Sequence, residues 1–246
     1  MIPLRDANPT QRTPVVTIGL VIACLGVFAW ELGLLASGGM DALDAFVAQW
    51  GVVPANVTAE FDAGNYVNAV TLTLITSQFL HGGWLHVLGN LLFLWIFGNN
   101  IEDRFGKVGF LLFYLAGGVV AALTQVVTDP DSTIPMIGAS GAIAATLGAY
   151  LVLYPRARIT SLVFLGFFYQ LIDVPALIVL AFWFVLQLID GLASLGAVDV
   201  QVAFFAHIGG FVFGSAIGLL VRTVSRRRQP GRDDAAVGRS DPATVG

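Results

Sequence analysis

The chain has 246 residues, 57% of them hydrophobic and only 11% charged, with a mean hydropathy of +0.82 and a formal net charge of −4. That balance excludes an ordinary soluble domain, in which about a quarter of residues are charged, and the body of the chain carries no basic patch for nucleic acid. A single cysteine, Cys24, excludes an intrachain disulfide.

A helix needs about 20 apolar residues to cross the ~30 Å hydrocarbon core of a bilayer. Runs of that kind lie near residues 15–36, 77–98, 108–127, 137–154, 175–193 and 204–222. The first follows Arg5 and Arg12 in the manner of a secretory signal. Its apolar run is too long for one and no Ala-x-Ala site follows, so it reads as a span. In the long segment after it, Leu43, Phe46, Val47 and Trp50 recur at helical spacing. This predicts a short helix lying in the interface or packed on neighbouring protein. Residues 159–194 are too long for one span and are interrupted by Asp173 and Pro175. They predict an interfacial or re-entrant piece over 160–173, with the span starting near Pro175. From about residue 225 the chain is rich in Arg, Asp, Gly and Pro, the composition of a disordered tail.

All twelve Lys and Arg fall on one side of a six-span layout. Arg5 and Arg12 precede span 1, and Arg104 and Lys107 lie between spans 2 and 3. Arg156 and Arg158 follow span 4, while Arg222, Arg226, Arg227, Arg228, Arg232 and Arg239 follow span 6. The opposite loops hold Asp41, Asp62, Asp129 and Asp199 and no base. The positive-inside rule then places both termini in the cytoplasm. The expected organisation is a cytoplasmic segment 1–14, a membrane domain 15–224 and a disordered cytoplasmic tail 225–246. The fold class is an all-α integral membrane protein, a six-helix transmembrane bundle with a long outer loop between helices 1 and 2.

Polar groups inside hydrocarbon are costly and mark function by default. Ser140, within Gly138-Ala139-Ser140-Gly141, starts span 4, and His207 starts span 6, so the two lie at one depth toward the outer side. Gly141, Ala145 and Ala149 on one helix and Gly210, Gly214 and Gly218 on the other form small-residue stripes that permit close packing. A serine and an imidazole brought together in this way make a nucleophile and its base. Gly138 and Gly141 would let backbone approach a substrate, and the N-terminus of span 4 offers unpaired N–H groups to an oxyanion. On span 2, His86 and Asn90 are four apart, share a face, and suit an oxyanion hole. His81 is nearer the surface and reads as a loop brace. A metal is not expected, because His81 and His86 face different ways and no acidic or thiolate partner is in reach. Glu31, Asp190 and Asp199 are not assigned as a third triad member.

With His81-Gly82-Gly83-Trp84-Leu85-His86 and Asn90, Asn100-Ile101-Glu102-Asp103-Arg104-Phe105-Gly106, Gly138-Ala139-Ser140-Gly141, and Ala206-His207 with Gly210 and Gly214, the chain resembles the rhomboid intramembrane serine proteases over essentially all six spans. The resemblance implies a catalytic dyad of Ser140 and His207, with His86, Asn90 and the serine's own N–H as the oxyanion hole. It implies a bacterial inner-membrane enzyme open to the outer side, with no cofactor. Its partners would be membrane lipid and a transmembrane-helix protein substrate that unravels near small residues, admitted past span 5 and the 194–203 loop. Many members carry an aromatic residue four after the serine; here Ala144 stands there, and Phe204 or Phe205 is the expected substitute. Glu102 and Arg104 read as a structural pair that locks their loop. The alternative reading is a catalytically weak or inactive rhomboid-like binder of membrane proteins. Retained Ser140 and His207 argue against it. A channel or transporter would need charged residues along a path, which the spans lack.

Overall fold

The structure, a computed structural model, describes residues 2–165, 168–194 and 203–227. In chain order it comprises β1 (Ile2–Asp6), α1 (Val15–Trp50), α2 (Pro54–Asp62), α3 (Ala69–Thr76), a 3-10 turn (Ser77–Phe79), α4 (Trp84–Phe105), α5 (Lys107–Thr128), α6 (Ser140–Leu153), β2 (Arg158–Leu165), β3 (Phe168–Pro175), α7 (Ala176–Ser194) and α8 (Phe204–Arg227). Helices α1 and α4–α8 fall on the six apolar runs. Among the described residues, α1, α5 and Phe204–Val224 of α8 are long and apolar enough to cross a bilayer. A fourth crossing arises if α3 with its 3-10 turn is joined to α4 across an 81° bend. Helix α6 and Ala176–Ile189 of α7 are shorter apolar segments.

Helix α1 is two helices joined across a kink at Gly39, whose φ of 70° is the left-handed conformation that glycine adopts freely. Its first arm ends close to the expected residue 36, and the amphipathic stretch 41–50 forms the expected short helix as the second arm. Two features differ from expectation. The second apolar run is helical only from Trp84, because Gly83 has φ 152° and ends any continuous ladder from Ser77. The loop between spans 1 and 2 is itself largely helical. Asn68 caps α3 in a reciprocal box, its side chain accepting from the Thr71 N–H while the Thr71 hydroxyl accepts from the Asn68 N–H.

The helical bundle is accompanied by a three-stranded antiparallel sheet that the sequence reading did not foresee. Residues 160–173, expected as an interfacial or re-entrant piece, form most of the hairpin β2–β3, with Leu165 opposite Phe168 and Arg158 opposite Pro175. Asp173 sits opposite Thr160 and accepts its hydroxyl proton at 2.7 Å. The N-terminal strand β1 pairs along β2. It is also tied to the bundle: Oδ2 of Asp6 accepts from the Tyr150 hydroxyl (2.8 Å) and from Nδ2 of Asn100 (2.6 Å). Asn8 donates to Oδ1 of Asn100 at 2.6 Å.

The main core lies among α4, α5, α6 and α8, around Leu94, Phe97, Ile101, Phe110, Tyr114 and Tyr150, with Phe97 and Tyr150 edge to face at 4.9 Å between centroids. The α6–α8 seam is the closest. A Cβ on Gly214 would stand 1.8 Å from the Ala145 carbonyl oxygen, and one on Gly210 would stand 2.3 Å from that of Gly141. The expected small-residue stripes therefore do face each other. Glu102 is buried, and its carboxylate accepts from the N–H groups of Val16 and Thr17 (2.9 and 2.8 Å) and from the Thr17 hydroxyl (2.9 Å). Those are orphan donors of a helix start, where a negative charge also meets the positive dipole end. Glu102 thus fastens α4 to the first turn of α1. Past Arg227 the proposed tail lies outside the described residues, as do Asp199 and most of the 194–203 loop.

Candidate active site

Ser140 is the first residue of α6, and the segment leading to it is pinned from two sides. Val52, just after α1, exchanges backbone hydrogen bonds with Met136 (3.0 and 2.7 Å). The N–H of Gly138 donates to the Ser77 carbonyl at 2.9 Å. The first N–H groups of α6 have no acceptor within the helix and point toward its open end.

Across the seam, His207 lies in the first turn of α8. Its Nε2 is 2.8 Å from Oγ of Ser140, a distance at which a proton can pass between them. The structure thus brings together two residues 67 positions apart, as their matched depth predicts. The imidazole is held on its other side by α7. The Gln187 side-chain amide meets Nδ1, and the Trp183 ring lies 6.1 Å from the imidazole at 43° between planes. Trp183 and Phe211 approach at 5.9 Å, extending the aromatic wall. The ring contact expected from Phe204 or Phe205 comes instead from Trp183. Ala144 is fully buried in the seam, 3.3 Å from where a Gly210 Cβ would stand, which leaves no room there for an aromatic side chain. Neither Trp183 nor Gln187 was singled out from sequence. The available signal was a glutamine in an otherwise apolar helix, four residues from a tryptophan.

The second polar set faces Gly138. A Cβ on Gly138 would lie 2.6 Å from Nε2 of His86 and 3.6 Å from Nδ2 of Asn90, and its φ of 124° is in the region other residues avoid. His86 Nδ1 accepts from the Gly82 N–H at 3.3 Å, so in the neutral ring Nε2 carries the proton and is a donor. Asn90 is buried, and its Nδ2 has no hydrogen-bond partner among the described residues. Two donors therefore converge on the backbone two residues before Ser140. Gly141 packs against Ala121 of α5 and Gly210 of α8, so its missing side chain serves the helix contact. His81 braces the bend: its N–H donates to the buried Glu31 carboxylate at 3.2 Å and its ring meets that of His86 edge to face. A narrow cavity of about 40 Å³ opens beside Ser140, lined by Ser77, Gln78, Gly118, Gly138 and Ala206.

A polar cluster of this kind within an apolar helical bundle is a candidate chemical site near one end of the short helix α6, in a chain with the make-up of an integral membrane protein. The chain belongs to the rhomboid family, whose domain model matches residues 68–224. It is 36% identical over 146 residues to Rhomboid protease GluP of Bacillus subtilis (strain 168), covering 59% of this chain and 26% of that protein. It is 29% identical over 219 residues to RHOMBOID-like protein 12, mitochondrial, of Arabidopsis thaliana, covering 79% of this chain and 55% of that one. It is also 29% identical over 170 residues to Presenilin-associated rhomboid-like protein A, mitochondrial, of Danio rerio, covering 65% and 40% respectively. The chain thus spans between about a quarter and just over half of the length of these relatives. Rhomboid proteases are serine hydrolases that act within the membrane, and the family also holds inactive members.

Proposed function

We propose that the chain is an intramembrane serine endopeptidase that hydrolyses a peptide bond in or near a transmembrane segment of another protein. The observation that carries this reading is the 2.8 Å contact between Oγ of Ser140 and Nε2 of His207 inside an apolar bundle. His207 takes the hydroxyl proton as Oγ attacks the substrate carbonyl carbon. The tetrahedral oxyanion is received by Nε2–H of His86, Nδ2–H of Asn90 and the N–H of Ser140. As the C–N bond breaks, the imidazolium returns its proton to the departing amine, leaving an acyl ester on Ser140. A water that loses its proton to His207 then attacks the ester and frees the acid and the serine. The narrow cavity beside Ser140 fits a small substrate side chain. The site would open to the outer side, with both termini cytoplasmic. Six crossings agree with the placement of all twelve basic residues, and a bacterial inner membrane is the compartment we assign.

Purified protein in liposomes should cleave a model transmembrane substrate, and Ser140→Ala and His207→Ala should each abolish it. A fluorophosphonate should label the wild type and not the Ser140→Ala variant. Cleavage persisting in either alanine variant would overturn the dyad; a wild type that binds substrate without cutting it would leave the inactive-binder reading. In intact cells a C-terminal tag should stay shielded from external protease, and a reachable tag would invert the proposed orientation.

A further inference from the structure

We propose that Gln187 is a positioning residue for His207, its amide oxygen holding the imidazole in the tautomer that a general base requires. The proposal rests on the Ser140–His207 reading and adds a third member from α7. A neutral imidazole carries its proton on one nitrogen and a lone pair on the other. To take the Ser140 proton, Nε2 must hold the lone pair, so Nδ1 must hold the hydrogen and needs an acceptor on its far side. The Gln187 side-chain amide occupies that place, with its Nε2 facing Nδ1 in this structure. A half-turn of this amide exchanges its oxygen and nitrogen without moving the side chain. With nitrogen toward the ring, Nδ1 is the acceptor and Nε2–H points at Ser140, which suits a resting state and not a base. With oxygen toward the ring, Nδ1–H is satisfied and Nε2 faces the hydroxyl with its lone pair. Gln187 also stabilises the imidazolium that forms during attack, because that ion has a hydrogen on both nitrogens.

Two further observations favour this role over incidental packing. Trp183 and Gln187 lie four residues apart on α7 and both reach the same ring, Trp183 with its own ring tilted against it and Gln187 at Nδ1. The neighbouring Val185, Leu186 and Leu188 are exposed on the outside of the bundle, as lipid-facing residues are, whereas Gln187 is half-buried on the His207 side. A primary amide in a lipid-facing helix needs a partner of its own, and His207 supplies it.

The test uses the full chain in liposomes, with kcat and KM measured on a cleavable transmembrane substrate and the rate of fluorophosphonate labelling at Ser140 measured alongside. Gln187→Met keeps length and volume and removes the acceptor, while Gln187→Glu keeps an acceptor in place. The methionine variant should lower kcat and the labelling rate about tenfold, the weight of one lost hydrogen bond, with KM within about twofold. The glutamate variant should stay within about threefold of wild-type kcat. Thermal midpoints are read for both, and a destabilised methionine variant is replaced by Gln187→Leu, carrying the same expectations. Wild-type kcat without the acceptor, an equal fall in both variants, or a change confined to KM would each overturn the proposal. Ser140→Ala and His207→Ala run in parallel: activity in either sinks the dyad itself, whereas dead alanine variants beside a fully active Gln187→Met sink only the role of Gln187.

Discussion

A side chain at residue 138 would have nowhere to go. The backbone there is held at φ 124° by the turn into α6, and a methyl group would intrude to 2.6 Å from Nε2 of His86. Gly138→Ala should therefore displace one proposed oxyanion donor while leaving the bundle folded. We expect kcat to fall by about a hundredfold or more, the usual cost of losing such a donor, and the strained backbone to cost about 1–3 kcal/mol of stability. Steady-state kinetics beside a melting curve checks both. At the opposite end of the molecule, Asp6 lies outside the spans, and burial raises its carboxyl above the ordinary range, opposed by the hydrogen bonds from Tyr150 and Asn100. A carboxyl raised on folding contributes stability that is fully present below its ordinary pKa and is lost as pH rises through the folded value. Asp6→Asn keeps an acceptor for Tyr150 and removes the charge. It should match the wild type near pH 4 and melt higher by on the order of 2 °C at pH 8; a difference unchanged between the two pH values would refute the assignment.

At the scale of elements, the α6–α8 seam decides whether the proposed nucleophile and base can meet. Its stripes were readable in sequence because small residues at four-residue spacing have one physical use in a membrane helix, which is to let backbones touch. Gly214→Ala places a methyl 1.8 Å from the Ala145 carbonyl oxygen and should destabilise the bundle by about 1–3 kcal/mol, with loss of cleavage. Gly26→Ala in α1, where nothing lies within 4 Å, is the control and should stay within about 0.5 kcal/mol in a chemical-denaturation series. Other elements were hidden. The hairpin β2–β3 has apolar residues on successive positions, such as Leu162, Val163 and Phe164, and strand β1 pairs with it across more than 150 residues of chain. No local period reports a contact of that kind. Gln187 and Trp183 escaped for a related reason, because only the packing of α7 on α8 shows which ring they serve.

The end of the molecule remote from Ser140 is anchored by polar clasps. Glu102 secures the start of α1, and Asp6, Asn8 and Asn100 tie the N-terminal strand to α4 and α6. Helix α6 rises from this anchored floor and has 14 residues. At ~1.5 Å per residue it is about 21 Å tall, some 9 Å short of a typical ~30 Å hydrocarbon slab. With its base placed at the level of Arg156 and Arg158, the proposed nucleophile would rest below the far surface of the bilayer, near the 81° bend between α3 with its 3-10 turn and α4. Such a helix works as a ruler: its length fixes the depth at which a bond could be cut, so substrates of different sequence would all be shortened at one level of the membrane.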